Sequence, residues 1–197
     1  MIGDRFDEAF VWAHDRHRDQ RRKTSNTPYI THLMVVASLA IDDAANDPAL
    51  VDMVEEIAIA ALLHDVVEDT DTTPDDVAQR FGLVVAEIVE GCSDTDIWPK
   101  PPWGERKEAY LLHLRSASSP TLCVALADKR HNATDILADL RSLGPSVWDR
   151  FNAGPDQQKW FHEELASVFG ERRPGNAADD YSRTVRELVA VIDAQRR

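Results

Sequence analysis

Residues 57–63, Ile-Ala-Ile-Ala-Ala-Leu-Leu, form an apolar run that stops at His64-Asp65, with Glu68 and Asp69 a turn further on. A helix that is apolar all round belongs inside a protein. His64, Asp65, Glu68 and Asp69 therefore fall where a buried helix ends. Burying such groups is costly unless each finds a partner, and carboxylates at a helix C-terminus oppose the macrodipole. A chain accepts both penalties chiefly where a cation or a reaction needs those side chains.

The rest of the chain reads as helix almost throughout. Phe6, Ala9, Phe10, Ala13 and His17 recur at helical spacing over residues 4–19. A polar loop, Gln20 to Tyr29, follows, and Thr31 is positioned to cap a helix through residues 32–41. Asp47-Pro48 reads as the start of the helix that contains the apolar run. Thr73-Pro74-Asp75-Asp76 combines a capping hydroxyl, a first-turn proline and dipole-matched acids, so those acids are structural. Loops are expected at Gly82, at 93–96 and at 98–104, with helices at 105–117, 121–140, 156–169 and 178–195 and a polar loop between the last two. No alternating strand pattern, internal repeat or linker stands out. The expectation is one all-α domain over residues 1–197.

His64 and Glu68 stand at i and i+4, as do Asp65 and Asp69, which puts them on adjacent stripes of one helix face. Leu122 to Asn132 repeats the pattern, apolar and then abruptly polar, with Asp128 and Asn132 again four apart. His32 opens a third apolar helix on its apolar side. His32 alone is more often a core histidine, and Asp128 alone more often an ion-pair partner. Together with His64-Asp65 they make a mixed nitrogen and oxygen set that suits Mn²⁺, Fe²⁺ or a similar ion better than a thiolate zinc site does. His131 projects about 100° from Asn132 on a helix and reads as structural. His14, His17, His113 and His162 have no partner pattern.

Composition narrows the partners. With 22 Lys and Arg against 35 Asp and Glu, the formal charge is −13, which argues against nucleic acid or an anionic membrane as a binding surface. A small phosphorylated ligand held by local basic residues remains compatible. No apolar run approaches the roughly 20 residues that span a bilayer. The N-terminus lacks a signal-peptide layout, and two cysteines give no disulfide framework, so a cytoplasmic protein is expected. Oligomeric state is not legible.

The order His32, His64-Asp65, Asp128 resembles the signature of the HD-domain metal-dependent phosphohydrolases. Thr27 to His32, Leu62 to Thr70, Glu105 to Lys107 and Leu126 to Asn132 together are similar to the hydrolase domain of the RelA/SpoT family, most of all its small stand-alone members, over roughly residues 5–165. The resemblance implies an all-α HD bundle that removes the 3′-pyrophosphate of ppGpp or pppGpp with Mn²⁺. It implies His32, His64, Asp65 and Asp128 as metal ligands, and Glu68 and Asp69 as the pair that handles the attacking water. It places Asn132 beside the substrate and Arg22 and Lys23 against the nucleotide, with Lys100, Arg106 and Lys107 as further basic positions. Thr134 stands where the family often has arginine. Two other readings compete: an HD phosphohydrolase acting on a different nucleotide, such as a deoxynucleoside monophosphate or a nicotinamide dinucleotide phosphate, and a non-catalytic nucleotide-binding module. The second is expected to have lost a ligand or an acid of the Glu68-Asp69 pair, and both sets are intact.

Overall fold

A computed structural model describes residues 2–22, 25–95 and 99–195. These fold into helices α1 (Asp4–Arg16), α2 (Ile30–Ala45), α3 (Val54–Leu63), α4 (Val66–Asp69), α5 (Pro74–Phe81), α6 (Leu83–Cys92), α7 (Trp103–Leu114), α8 (Ser119–Leu143), α9 (Pro155–Arg172) and α10 (Asn176–Ala194). No strand occurs among the described residues; Arg21 and Pro28 make an isolated bridge that closes the loop before α2.

α3 occupies the centre. Every residue from Ile57 to Leu63 is buried, and α1, α2, α6 and α8 pack around it. The cause is compositional: a helix with no polar face gains only from being enclosed, at about 25 cal/mol per Å² of apolar surface removed from water. α2 buries one face, through His32, Leu33, Val36, Ala37, Ala40 and Ala44. Gly91 lets α6 approach α8, since a Cβ there would lie 2.7 Å from the Thr121 methyl group. The Thr73–Asp76 capping box opens α5 as expected, and Gly82, at φ +93°, turns α5 directly into α6.

Several boundaries differ from the sequence reading. Thr31 does not cap α2: it lies inside the first turn, and its hydroxyl donates to the Pro28 carbonyl at 2.8 Å. α3 starts at Val54 rather than at Asp47-Pro48, after a short 3-10 turn over Val51–Met53; the Asp47 carboxylate instead accepts from the Ala49 N–H. α8 runs through the polar cluster as expected and is longer at both ends than the expected 121–140, with 25 residues. Its first half is buried all round through Asp128, and its second half is amphipathic, burying Ala133, Ile136, Leu137 and Leu140. The loop between the last two helices shrinks to residues 173–175, because α9 continues to Arg172 and α10 starts at Asn176. α10 packs on α8 and α9 and encloses a second apolar cluster, in which Leu188 and Ile192 meet Ile136, Leu140 and Val147.

Candidate metal centre and cavity

α3 ends at Leu63. His64 is its C-cap and Asp65 the N-cap of the single turn α4. This break aims both side chains at α2 and at the middle of α8. His64 Nε2 lies 3.0 Å from Asp65 Oδ2 and 3.6 Å from Asp128 Oδ1. His32 Nε2 lies 3.3 Å from His64 Nε2, 3.2 Å from Asp128 Oδ1 and 3.5 Å from Asp65 Oδ2. Donor atoms held about 2.0–2.2 Å from one ion stand roughly 3–3.5 Å from each other, so the spacing fits one divalent cation. His32, His64 and Asp65 alone form a group whose ligand atoms all lie within 4.8 Å of one another, and Asp128 joins through its contacts to both imidazoles.

The tautomer of His64 is set for that purpose. Its Nδ1 donates to the Ala61 carbonyl at 2.9 Å, so Nε2 is the nitrogen left to face the cluster and a cation. Burial works against charge on these groups, yet electrostatics overcomes it. Asp65 is held well below the usual carboxylate range by His64 and by hydrogen bonds from both imidazoles. Asp128 is held low chiefly by Lys129, whose Nζ is 2.5 Å from Oδ2. Asp65 and Asp128 in turn raise His64 well above the ordinary histidine value.

The cluster opens into a cavity of about 330 Å³ whose lining includes Arg22, Tyr29, Asp65, Glu68, Asp69, Lys107, Asp128, Lys129, Asn132 and Asp135. Glu68 accepts from Lys100 Nζ at 3.0 Å. Asp69 accepts from Gln20 Nε2 at 2.7 Å. Both carboxyls sit above their ordinary pKa, raised first by burial and then by neighbouring acids: Asp94 and Asp65 act on Glu68, and Asp65 on Asp69. Acids poised in this way can accept a proton from a water. Asn132 Nδ2 donates to Asp128 Oδ1 at 2.5 Å.

The predicted basic residues divide. Lys107 lines the cavity, with Nζ 2.5 Å from Asp94 Oδ2 and 4.9 Å from the Phe161 ring centre. Arg106 also pairs with Asp94 but is not among the lining residues. Lys100 reaches the site through Glu68. Arg22 lines the cavity, yet its guanidinium donates to Asn132 Oδ1 at 2.9 Å and Asp135 Oδ2 at 2.8 Å. Lys23 lies outside the described residues. Thr134 faces a different groove, shared with Arg130 and Asp180, and its hydroxyl donates to the Arg130 carbonyl; the cavity-facing position of that turn is Asp135.

Other participants had weak sequence signals. Tyr29, Gln20 and Lys129 touch Asp65, Asp69 and Asp128. Only the adjacency of Lys129 to Asp128 is visible in sequence. His131 is engaged rather than turned away: its Nδ1 is 2.6 Å from His32 Nδ1, and the rings stack at 4.9 Å. His162 lines the cavity from α9, with Nδ1 2.7 Å from the Tyr181 hydroxyl.

Residues 9–156 match the HD domain family. The human guanosine-3′,5′-bis(diphosphate) 3′-pyrophosphohydrolase MESH1 is 40% identical over 167 residues, covering 84% of this chain and 86% of the human one. MESH1 of Danio rerio is 38% identical over 142 residues, covering 72% of each. The bifunctional (p)ppGpp synthase/hydrolase SpoT of Escherichia coli K12 is 32% identical over 171 residues, covering 84% of this chain but 21% of SpoT. Among solved structures, a metazoan ortholog of SpoT that hydrolyses ppGpp superposes with a TM-score of 0.75 at 29% identity, covering 94% of this chain and 96% of that one. With this family match, these identities and a helical frame that superposes on that ortholog, the chain belongs to the HD-domain family, among the RelA/SpoT-type members that include MESH1.

Proposed function

We propose that this protein removes the 3′-pyrophosphate from ppGpp and pppGpp, giving GDP or GTP and pyrophosphate, with Mn²⁺ as its cation. The observation that carries this reading is the meeting of two sets in one cavity: a four-residue ligand cluster and, beside it, two carboxyls with raised pKa. Relatives that share most of this chain's length carry that activity in their names. Two imidazoles and two carboxylates suit Mn²⁺ or a similar ion. When bound, the cation supplies Lewis acidity, lowering the pKa of a water and drawing charge from the phosphoryl group.

The chain's own residues do the rest. Glu68 and Asp69 orient the attacking water and accept its proton. The water oxygen joins the phosphorus attached to the 3′ oxygen, the P–O3′ bond breaks, pyrophosphate leaves whole, and the 3′ oxygen takes up a proton. Lys107 and Lys129 are each committed to one carboxylate, but an ammonium group has three donors, so each can also meet a phosphate oxygen. Trp103, Phe151 and Phe161 line the cavity and offer a purine apolar faces on which to stack.

The test is to incubate the Mn²⁺-loaded protein with a nucleotide panel and separate the products by chromatography. GDP and pyrophosphate from ppGpp are expected. Intact ppGpp beside turnover of another nucleotide would leave the HD chemistry standing and remove the alarmone assignment.

A further inference from the structure

Six side chains close a ring that runs through the ligand cluster. Asp135 Oδ2 accepts from Arg22 at 2.8 Å. Arg22 also donates to Asn132 Oδ1 at 2.9 Å, and Asn132 Nδ2 donates to Asp128 Oδ1 at 2.5 Å. Asp128 Oδ1 lies 3.2 Å from His32 Nε2. His32 Nδ1 lies 2.6 Å from His131 Nδ1, and His131 Nε2 lies 3.5 Å from Asp135 Oδ1, which returns to the start. The last contact is long for a hydrogen bond and is the loosest link.

With a cation facing His32 Nε2 and Asp128 Oδ1, the donors and acceptors around this ring run in one sense. A carboxylate only accepts and a guanidinium only donates. Asp135 therefore favours the proton of His131 on Nε2, which leaves a lone pair on His131 Nδ1. That lone pair can only accept, so the proton of His32 stands on Nδ1 and the lone pair of His32 points from Nε2 into the ligand cluster. In the other direction Asp135 fixes Arg22, whose Nε is buried without a partner, so its two NH2 bonds are what hold it. Arg22 then sets the amide orientation of Asn132, which aims its NH₂ group at Asp128 Oδ1.

We propose that Asp135 is a positioning residue of the metal centre, acting on His32 through His131 and on Asp128 through Arg22 and Asn132. Asp135 belongs to neither the ligand set nor the Glu68-Asp69 pair. Its placement follows from α8 continuing past Asp128: Asp128, His131, Asn132 and Asp135 fall at helical spacing on one side of a single uninterrupted helix. The ring also gives Arg22 a role that does not require nucleotide.

This inference rests on His32 and Asp128 being ligands, and the experiment separates the two ideas. Mn²⁺ affinity of metal-stripped protein is measured by electron paramagnetic resonance. Asp135→Ala should weaken Mn²⁺ binding about 10–100-fold, the loss typical when an outer partner of a metal ligand is removed. Asp135→Glu should recover part of it. Asp135 is partly exposed, and circular dichroism checks that the variant folds. Should it not fold, His131→Phe keeps the ring stacked on His32 without its acceptor and should show the same loss of affinity. A folded Asp135→Ala or His131→Phe protein with wild-type Mn²⁺ affinity overturns the proposal, as does Asp135→Ala raising only KM. A wild-type protein that binds no Mn²⁺ brings down the metal assignment instead.

Discussion

The Tyr29 hydroxyl donates to Asp65 Oδ2 at 2.5 Å, the oxygen that also lies 3.0 Å from His64 Nε2. Burial, followed by Asp65, pushes the Tyr29 pKa well above its ordinary value, so the phenol stays protonated and can only donate to that carboxylate. The ring is held independently, stacked on His17 at 5.1 Å and tilted on His32 at 5.3 Å. Tyr29→Phe should therefore keep its packing, cost about 1 kcal/mol or less in stability, and weaken metal binding about 10–100-fold. A metal titration beside a thermal melt checks this; unchanged affinity in a folded variant would remove Tyr29 from the support of Asp65.

The proposed ligands were legible as a group because each is a polar residue in or at the end of an apolar run, which is a local signal. Their supports were not. Tyr29 reaches Asp65 across 36 residues and Arg22 reaches Asp135 across 113, pairings set by packing. The helical angle from Asn132 alone hides the contact of His131; His32, arriving from α2, meets the side that His131 presents. The polar turn at 128–132 interrupts the apolar pattern of its helix without ending it. α8 continues because Lys129 and Asn132 satisfy Asp128 from within the same helix, so no break is needed to solvate it.

Glu68 and Asp69 should separate chemistry from metal binding. Glu68→Gln with Asp69→Asn leaves shape and ligands in place, so metal content should stay near wild type while kcat falls roughly 10²–10⁴-fold, the usual cost of a lost general base. A base works only when deprotonated. Because burial raises both carboxyls, the acid-side loss of kcat/KM should set in at higher pH than an ordinary carboxylate would give. A pH–rate profile measures this, and an unchanged kcat in the double variant would reduce the pair to a supporting role.

Removing a ligand should couple two readouts that the previous variant keeps apart. His64→Ala deletes an imidazole whose Nε2 contacts both carboxylates, and Asp65→Ala deletes the oxygen shared by Tyr29 and both histidines. Each should lose bound metal and turnover together, as measured by elemental analysis and product assay on the same sample. Full metal stoichiometry in either variant would contradict the ligand assignment.

His162 sets a pH dependence of stability that needs neither metal nor substrate. It is buried against the Tyr181 hydroxyl, and burial, aided by Lys129 and Lys107 and opposed by Asp128, pushes its pKa down from 6.5 to about 4. The folded protein therefore keeps His162 neutral where the unfolded chain takes up a proton. As pH falls below about 6.5, the unfolded state binds more protons than the native state, and stability drops; the loss is complete near pH 4, where both states are protonated. A displacement of this size corresponds to roughly 3 kcal/mol over that window. His162→Phe fills the site without a titrating ring but leaves the Tyr181 hydroxyl unpaired, which should cost about 1–3 kcal/mol at neutral pH. Its stability should fall less steeply toward pH 4 than that of the wild type. Urea denaturation of both proteins at neutral and acid pH measures the two slopes, and parallel losses would show that the buried imidazole is not the group responsible.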